Sequence, residues 1–155
     1  MLKILTLWPR MYAIGLTNAA MIERQGGNYP RAIAINEEIL RLAHRPWRPL
    51  RDDLRLLLAY IELFLCHLCL QHYEESIENG CRGFALLTSS ADYGWRAFAK
   101  TTPANFLGKH IPDTGPAWVT AFLRDLRKVI EAHGSEEARS CLSSIEAILS
   151  EMAHS

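Results

Sequence analysis

The residues with the most evident capacity for chemistry are Cys66, His67, Cys69 and His72, which lie close together in the chain. Structural zinc requires about four nitrogen or sulfur ligands in tetrahedral geometry. Cys66 and Cys69 are one helical turn apart, but the two histidines point away from their shared face. A redox Cys-x-x-Cys motif requires its first cysteine at a helix N-terminus in a βαβ unit, whereas this pair falls late in an apolar run. We therefore predict core cysteines, no metal site and no cofactor, with metal binding and redox activity as the alternatives.

A second group of residues combines arginines with a tryptophan. It comprises Arg41, His44, Arg45, Trp47, Arg48, Arg51 and Arg55. Arginine with an interleaved aromatic ring can bind phosphate, carboxylate or a nucleic-acid strand. Acidic pairs at positions 37–38 and 52–53 flank this stretch and can neutralise it, so a solvated connection is the alternative. The residues expected to contact a partner are Arg45, Trp47, Arg48, Arg51 and, from the aromatic-rich second half, Trp95.

A histidine and an aspartate come together in the segment 109–113. A hydrolase would need a nucleophile beside His110 and a group that orients this base. The available hydroxyls, such as those of Ser89, Ser90 and Thr114, stand in no catalytic motif. No Gly-rich phosphate loop, His-Glu-x-x-His or Gly-x-Ser-x-Gly occurs either. We predict no catalytic residues, and we do not expect an enzyme.

Composition is typical of a globular chain. The 155 residues are 49% hydrophobic and 22% charged, which suits a single domain over positions 1–155 and excludes general disorder. Lys+Arg and Asp+Glu both number 17, so the net charge gives no overall attraction to nucleic acid or to an anionic membrane. The four cysteines are too few for a disulfide-rich secreted protein and favour a reducing compartment.

Neither a secretion signal nor a membrane span is predicted. The apolar N-terminal stretch stops at Pro9 and Arg10, which is too early for a signal peptide. The longest apolar run, residues 54–70, contains Arg55, Glu62 and His67 and is shorter than the roughly 20 residues of a membrane helix. We expect a cytoplasmic protein in which this run is either a buried helix or the contact surface of a homodimer.

Hydrophobic periodicity predicts an all-α fold of about six to seven helices, with no strand pattern of useful length. The expected helices run from near Pro9 to Gln25, from Pro30 to before Pro46, from Asp52–Asp53 through Leu70, from Tyr73 to Leu87, over Ala91–Lys100 with a further start at Thr102, from Pro116 to Gly134, and from a Ser135 cap to the end. Gly80 and Gly83, three positions apart, would allow two helices to approach closely.

Two segments, 27–42 and 72–87, share a pattern at the start of a helix. Tyr29, Ala32 and Ile33 of the first correspond to Tyr73, Ser76 and Ile77 of the second. This pattern resembles the second helix of a tetratricopeptide repeat. The repeats of that family recur every 34 residues or so, and the two tyrosines are 44 positions apart, with the Arg- and Pro-rich connection supplying the excess. The first helices match weakly.

The resemblance covers residues 11–88 and implies helical hairpins, with residues 89–155 as additional C-terminal helices. A generic helical bundle is the alternative. The resemblance implies an interaction module that binds a protein or peptide on a helical surface, as a chaperone, an immunity protein or antitoxin, or a regulatory adaptor of bacterial type. The alternative function is a nucleic-acid-associated regulator that uses the stretch 41–55, although the neutral composition disfavours nucleic acid.

Overall fold

The computed structural model describes residues 2–47, 49–89 and 117–154, and this part of the chain contains seven helices and no β-strand. They are α1 (Leu2–Gln25), α2 (Tyr29–His44), α3 (Asp53–Cys69), α4 (Tyr73–Ser89), α5 (Ala117–His133), α6 (Glu136–Arg139) and α7 (Leu142–Ala153). Helix α6 is a single turn. The predicted all-α class with about six to seven helices is confirmed.

Two predicted boundaries were wrong. Helix α1 begins at Leu2, not near Pro9, and Pro9 lies inside it. Proline cannot donate the helical hydrogen bond, but Pro9 is buried, so its packing compensates for the missing bond. The last helix is divided into α6 and α7 because the Ser140 hydroxyl donates to the Glu137 carbonyl and competes with helix continuation. The helix predicted over 91–100 and the start at Thr102 lie outside the described residues.

The helix starts that rest on capping chemistry are confirmed. Asp52 caps α3, and its carboxylate accepts a hydrogen bond from the backbone N–H of Arg55 at 3.2 Å. Ser135 caps α6 in the same way, accepting from the N–H of Ala138 at 3.2 Å. Pro30 lies in the first turn of α2. Before it, Gly27 has a φ of +81°, a conformation that glycine adopts without strain.

The first four helices pack in chain order as two hairpins. Helix α1 packs against α2, α2 against α3 and α3 against α4, while α1 also contacts α3. Helix α5 then packs on α4, and α7 packs on α5. Helix α3 is the most enclosed of these, with eight buried residues, as its apolar run predicted. Its apolar surface is therefore largely covered by the chain itself.

The main core joins the two halves of the sequence. It consists of buried side chains from α3, α4, α5 and α7, among them Phe64, Leu126 and Ile145. Phe64 and Phe122 meet edge to face, with ring centroids 5.7 Å apart, a favoured aromatic arrangement. A smaller cluster, built around Ile39, joins α1, α2 and α3. The C-terminal helices thus share a core with the hairpins.

Gly80 and Gly83 lie where α4 comes closest to its neighbours, as predicted. A Cβ atom on Gly80 would lie 2.5 Å from the Cδ1 atom of Leu126 and 3.1 Å from Phe64. A Cβ on Gly83 would lie 3.3 Å from the Cβ of Tyr60. Real Cβ atoms essentially never approach to 2.5 Å, so glycine at position 80 permits the close packing of α4 on α5, and the contacts of α4 with α3 are also tight.

The paired positions of the repeat-like segments have similar surroundings. Ala32 and Ser76 are both fully buried, and the Ser76 hydroxyl donates to the Phe64 carbonyl at 2.9 Å. Tyr29 lies beside Cys69, the last residue of α3, and the interaction with this thiol raises the pKa of Tyr29. Tyr73 stacks on His133, the last residue of α5, with centroids 3.6 Å apart. In both cases a tyrosine at a helix start lies against the last residue of another helix.

Candidate partner-binding surface

The connection between α2 and α3 displays the predicted partner-binding residues that the structure describes. Trp47 is 67% exposed and Arg51 is also exposed. Arg45 forms the C-cap of α2 and is half-buried. Arg48 and Trp95 lie outside the described residues. The structure therefore brings three of the five predicted residues together on one connection.

Leu50 fixes this connection to the rest of the molecule. Its backbone N–H donates to the Leu42 carbonyl at 2.9 Å. Its side chain is 4% exposed and packs in the small cluster of α1, α2 and α3. Pro46 and Pro49 further restrict the backbone on either side of Trp47. The exposed tryptophan is therefore held on an anchored connection, which reduces the entropy that it would lose on binding.

Two further exposed hydrophobic residues at this end of the molecule were not found by sequence reasoning. Met11 and Tyr12 of α1 are 67% and 41% exposed. The pKa of Arg41 is raised mainly by its hydrogen bond to Glu38 and, to a smaller extent, by Tyr12. Tyr12 is therefore close to Arg41, near the end of α2. The buried face of α1 follows positions 13, 17, 20 and 21. The spacing of these buried positions in the sequence is the signal that could have identified Met11 and Tyr12 as exposed.

Local ion pairs neutralise part of the positive charge, as the flanking acidic residues predicted. Arg41 donates to Glu38 at 2.6 Å, and this bond lowers the pKa of the Glu38 carboxyl. Arg10 pairs with Asp52 at 3.2 Å, which brings α1 to the start of α3. Between positions 39 and 51 the sequence has four arginines and no acidic residue. We call the surface formed by Arg10, Met11, Tyr12, Arg41, Arg45, Trp47 and Arg51 the basic end.

The Cys66–His72 cluster shows no arrangement for metal chemistry. Cys66 is fully buried, and burial raises the pKa of its thiol to about 12, so it is a core cysteine as predicted. Cys69 is exposed, so the prediction of a core position for it was wrong; it is the last residue of α3, at the turn into α4. Across the described ranges, no three His, Cys, Asp or Glu side chains are grouped to hold a metal ion.

A buried ion pair is the main polar feature that the sequence did not reveal. The Glu62 carboxylate of α3 is fully buried, and Arg24 of α1 donates to its Oε2 atom at 2.6 Å. Burial raises the pKa of Glu62, while Arg24 acts in the opposite direction. The Glu62 Oε1 atom has no hydrogen-bond partner among the described residues, so the pair contacts no hydroxyl or thiol through it. The pair serves to hold α1 on α3.

A cleft of about 780 Å³ opens between α4 and the C-terminal helices. Its lining includes Glu78, Cys81, His133, Glu137 and Cys141. The lining mixes acidic, basic and apolar groups, and Arg82 at its edge is paired with Glu78 at 2.7 Å. The cleft holds no nucleophile–base pair in hydrogen-bonding contact among the described side chains.

No protein-family model matches this chain, and no curated protein or solved structure matches it either. Within the described ranges, every helix is too short or too polar to cross a membrane. The basic end combines exposed apolar side chains with positive charge.

Proposed function

We propose that this protein is a helical interaction module that binds an acidic, partly apolar segment of another protein at the basic end. The observation that carries the proposal is the exposure of Met11, Tyr12 and Trp47 at one end of the molecule, where arginines are exposed as well. These are three of the four large hydrophobic side chains that are exposed in the described residues. Tyrosine, tryptophan, methionine and arginine are the residue types enriched at protein interfaces.

Charge selects the kind of partner. The guanidinium group binds carboxylates in a planar, two-bond geometry. Arg51 is exposed and forms no ion pair with any residue that the structure describes. A partner segment with aspartate or glutamate near an apolar residue would pair with Arg51 and cover Trp47. We therefore favour an acidic peptide or helix over a basic one.

The arrangement of hairpins supports a repeat-type module. We infer that α1–α2 and α3–α4 are two tetratricopeptide-like units, because Tyr29 and Tyr73 make corresponding contacts with the ends of α3 and α5. Stacked hairpins of this kind present extended binding surfaces. Chaperones, immunity proteins and adaptors of the cytoplasm all use such surfaces, and the proposal covers each of these roles.

The test compares capture of partners by four forms of the full chain. The wild type, Trp47→Ala, the double variant Trp47→Ala/Arg51→Glu, and Ile22→Ala serve as bait in native cell extract. Ile22 is the matched control, because it is 69% exposed and lies in the C-terminal half of α1. We expect one acidic protein to be retained by the wild type and by Ile22→Ala, and to fall by about tenfold or more with both Trp47 variants.

The partner is then purified and its binding measured by calorimetry against the same four forms. Equal affinity for all four would remove the basic end as the surface. Retention of DNA or RNA, lost after nuclease treatment and falling steeply with salt, would replace the proposal with the nucleic-acid alternative. Light scattering of the free chain tests self-association, and a dimer that Trp47→Ala disrupts would assign the basic end to a second copy.

A further inference from the structure

Cys81 and Cys141, which are distant in the sequence, meet beside the cleft. Cys81 lies on α4 and Cys141 at the N-cap of α7. The Cys141 thiol lies close enough to raise the pKa of the Cys81 thiol further, after the larger effect of burial, and both cysteines are half-buried and free. Both also line the same open cleft, which solvent and small reagents can enter. The two thiols are therefore neighbours and within reach of an oxidant.

The other two cysteines provide a contrast within the same chain. Cys66 and Cys69 lie on one helix, and the first is fully buried while the second is exposed. A disulfide requires Cβ atoms roughly 3.5–4.5 Å apart and an S–S bond of about 2.05 Å. Two neighbouring thiols from separate helices that line one cleft can reach this geometry by side-chain rotation and a small closure.

We propose that Cys81 and Cys141 are a reversible disulfide pair, oxidised by a low-molecular-weight disulfide such as oxidised glutathione, and that the bond ties α4 to the start of α7 across the cleft. This modification site is independent of the basic end. In the oxidised state the width of the cleft is fixed by a covalent bond. In the reduced state it is held by side-chain packing alone.

The reaction proceeds by two thiol–disulfide exchanges. Burial raises the pKa of Cys81 to about 11, so Cys81 keeps its proton near neutral pH and the first attack falls to Cys141. The Cys141 sulfur, as thiolate, attacks one sulfur of oxidised glutathione and releases one glutathione thiolate. The Cys81 sulfur then loses its proton to solvent and attacks the Cys141 sulfur, which releases the second glutathione. Two protein thiols are oxidised and one glutathione disulfide is reduced.

The experiment exposes the purified full chain to oxidised glutathione at about pH 8, where thiol exchange is active, and then blocks remaining thiols with N-ethylmaleimide. Digestion with trypsin and a glutamate-specific protease separates the cysteines, because cleavage follows Glu78, Arg82, Arg139 and Glu146. We expect a disulfide-linked pair of peptides, 79–82 with 140–146, which dithiothreitol releases.

Variants make the assignment specific. The double variant Cys66→Ser/Cys69→Ser should keep the linked peptides, whereas Cys81→Ser should instead carry a persistent glutathione on Cys141. The oxidised wild type should melt roughly 5–10 °C above the reduced form, and Cys81→Ser should show no such difference. Cys81→Ala replaces Cys81→Ser if circular dichroism shows that the latter is unfolded.

Three results would overturn the proposal. The first is a persistent glutathione adduct on Cys141 of the wild type with no linked peptides. The second is a bond from Cys141 to Cys69 within one chain. The third is a disulfide between two chains, seen as a dimer on non-reducing gels. Each would show that the two sulfurs do not react with one another in the folded protein.

Discussion

At the scale of single residues, the ion pair of Glu62 and Arg24 is the most consequential contact. The Glu62 carboxylate is fully buried, while the Arg24 side chain keeps 19% of its exposure. The Glu62 Oε1 atom has no hydrogen-bond partner among the described residues. Removing such charges from water costs several kcal/mol per ion, which the pairing offsets only in part. The pair therefore penalises any packing of α1 on α3 that would separate the two groups.

Removing either member of the pair should have unequal effects. Arg24→Met leaves a buried carboxylate without its cation, so we expect the free energy of unfolding near neutral pH to fall by about 3 kcal/mol or more. Glu62→Gln removes the buried charge and keeps an acceptor for Arg24, so its loss should be smaller. Urea unfolding followed by circular dichroism measures both.

The pH dependence of stability distinguishes the charge from the packing. Burial raises the pKa of Glu62 above its ordinary value of 4.5, so the folded state holds this proton more tightly than the unfolded state. The contribution of Glu62 to stability therefore decreases as pH rises from 4.5 through its folded pKa. Arg24→Met removes the cation that lowers the pKa of Glu62, so the loss of stability should continue to higher pH. Glu62→Gln removes the titrating group and should abolish this loss. Parallel profiles for all three proteins would contradict the account.

At the scale of helices, glycine decides how closely α4 packs. Glycine weakens a helix by about 1 kcal/mol relative to alanine, yet Gly80 and Gly83 both lie in α4. Gly80 is buried against Leu126, which is itself fully buried. The cost in helix propensity is offset by the close contact of α4 with α5.

Alanine at two glycines should change stability in opposite directions. Gly80→Ala places a methyl group 2.5 Å from Leu126, and overpacking of this kind costs roughly 1–3 kcal/mol, which exceeds the gain in helix propensity. Gly15→Ala is the matched control, because no atom lies within 4 Å of its Cβ position on exposed α1. We expect it to stabilise by about 0.5–1 kcal/mol in thermal or urea unfolding. Stabilisation by both would mean that α4 and α5 are farther apart than described.

At the scale of the whole molecule, the two halves of the chain share one core. Ile145 of α7 is fully buried in the cluster that also contains Phe64 of α3. The C-terminal helices therefore cover apolar surface that the α3–α4 hairpin would otherwise expose. We therefore expect the described parts of the two halves to unfold together, and the single domain over positions 1–155 stays a prediction.

Ile145→Ala tests this cooperativity. We expect a loss of about 2–5 kcal/mol, because the substitution leaves a cavity in a fully buried site. Glu146→Ala, at an exposed position of the same helix, should change stability by less than about 0.5 kcal/mol. Labelling of Cys66 in increasing urea should follow the same transition as circular dichroism. Two separate transitions would show that the C-terminal helices fold independently of the first four.

The sequence alone determined the helical class, most helix starts and the close approach at α4. These features depend on neighbours within a turn or two: Asp52 and Ser135 cap their own helices, and the apolar spacing of α3 predicts its burial. The extension of α1 before Pro9 was missed because a local rule against proline was outweighed by burial of its ring. Cys69 was misplaced because the end of α3 was read as part of its buried stretch.

Only the tertiary structure decided which distant residues meet. Arg24 and Glu62 are 38 positions apart, Cys81 meets Cys141 from another helix, and Met11 and Tyr12 join the end that displays Trp47. Each meeting depends on the rotation and offset of one helix against another. The rotation and offset are set by the packing of many side chains at once, including the space left by Gly80. They therefore cannot be inferred from any short stretch of the sequence.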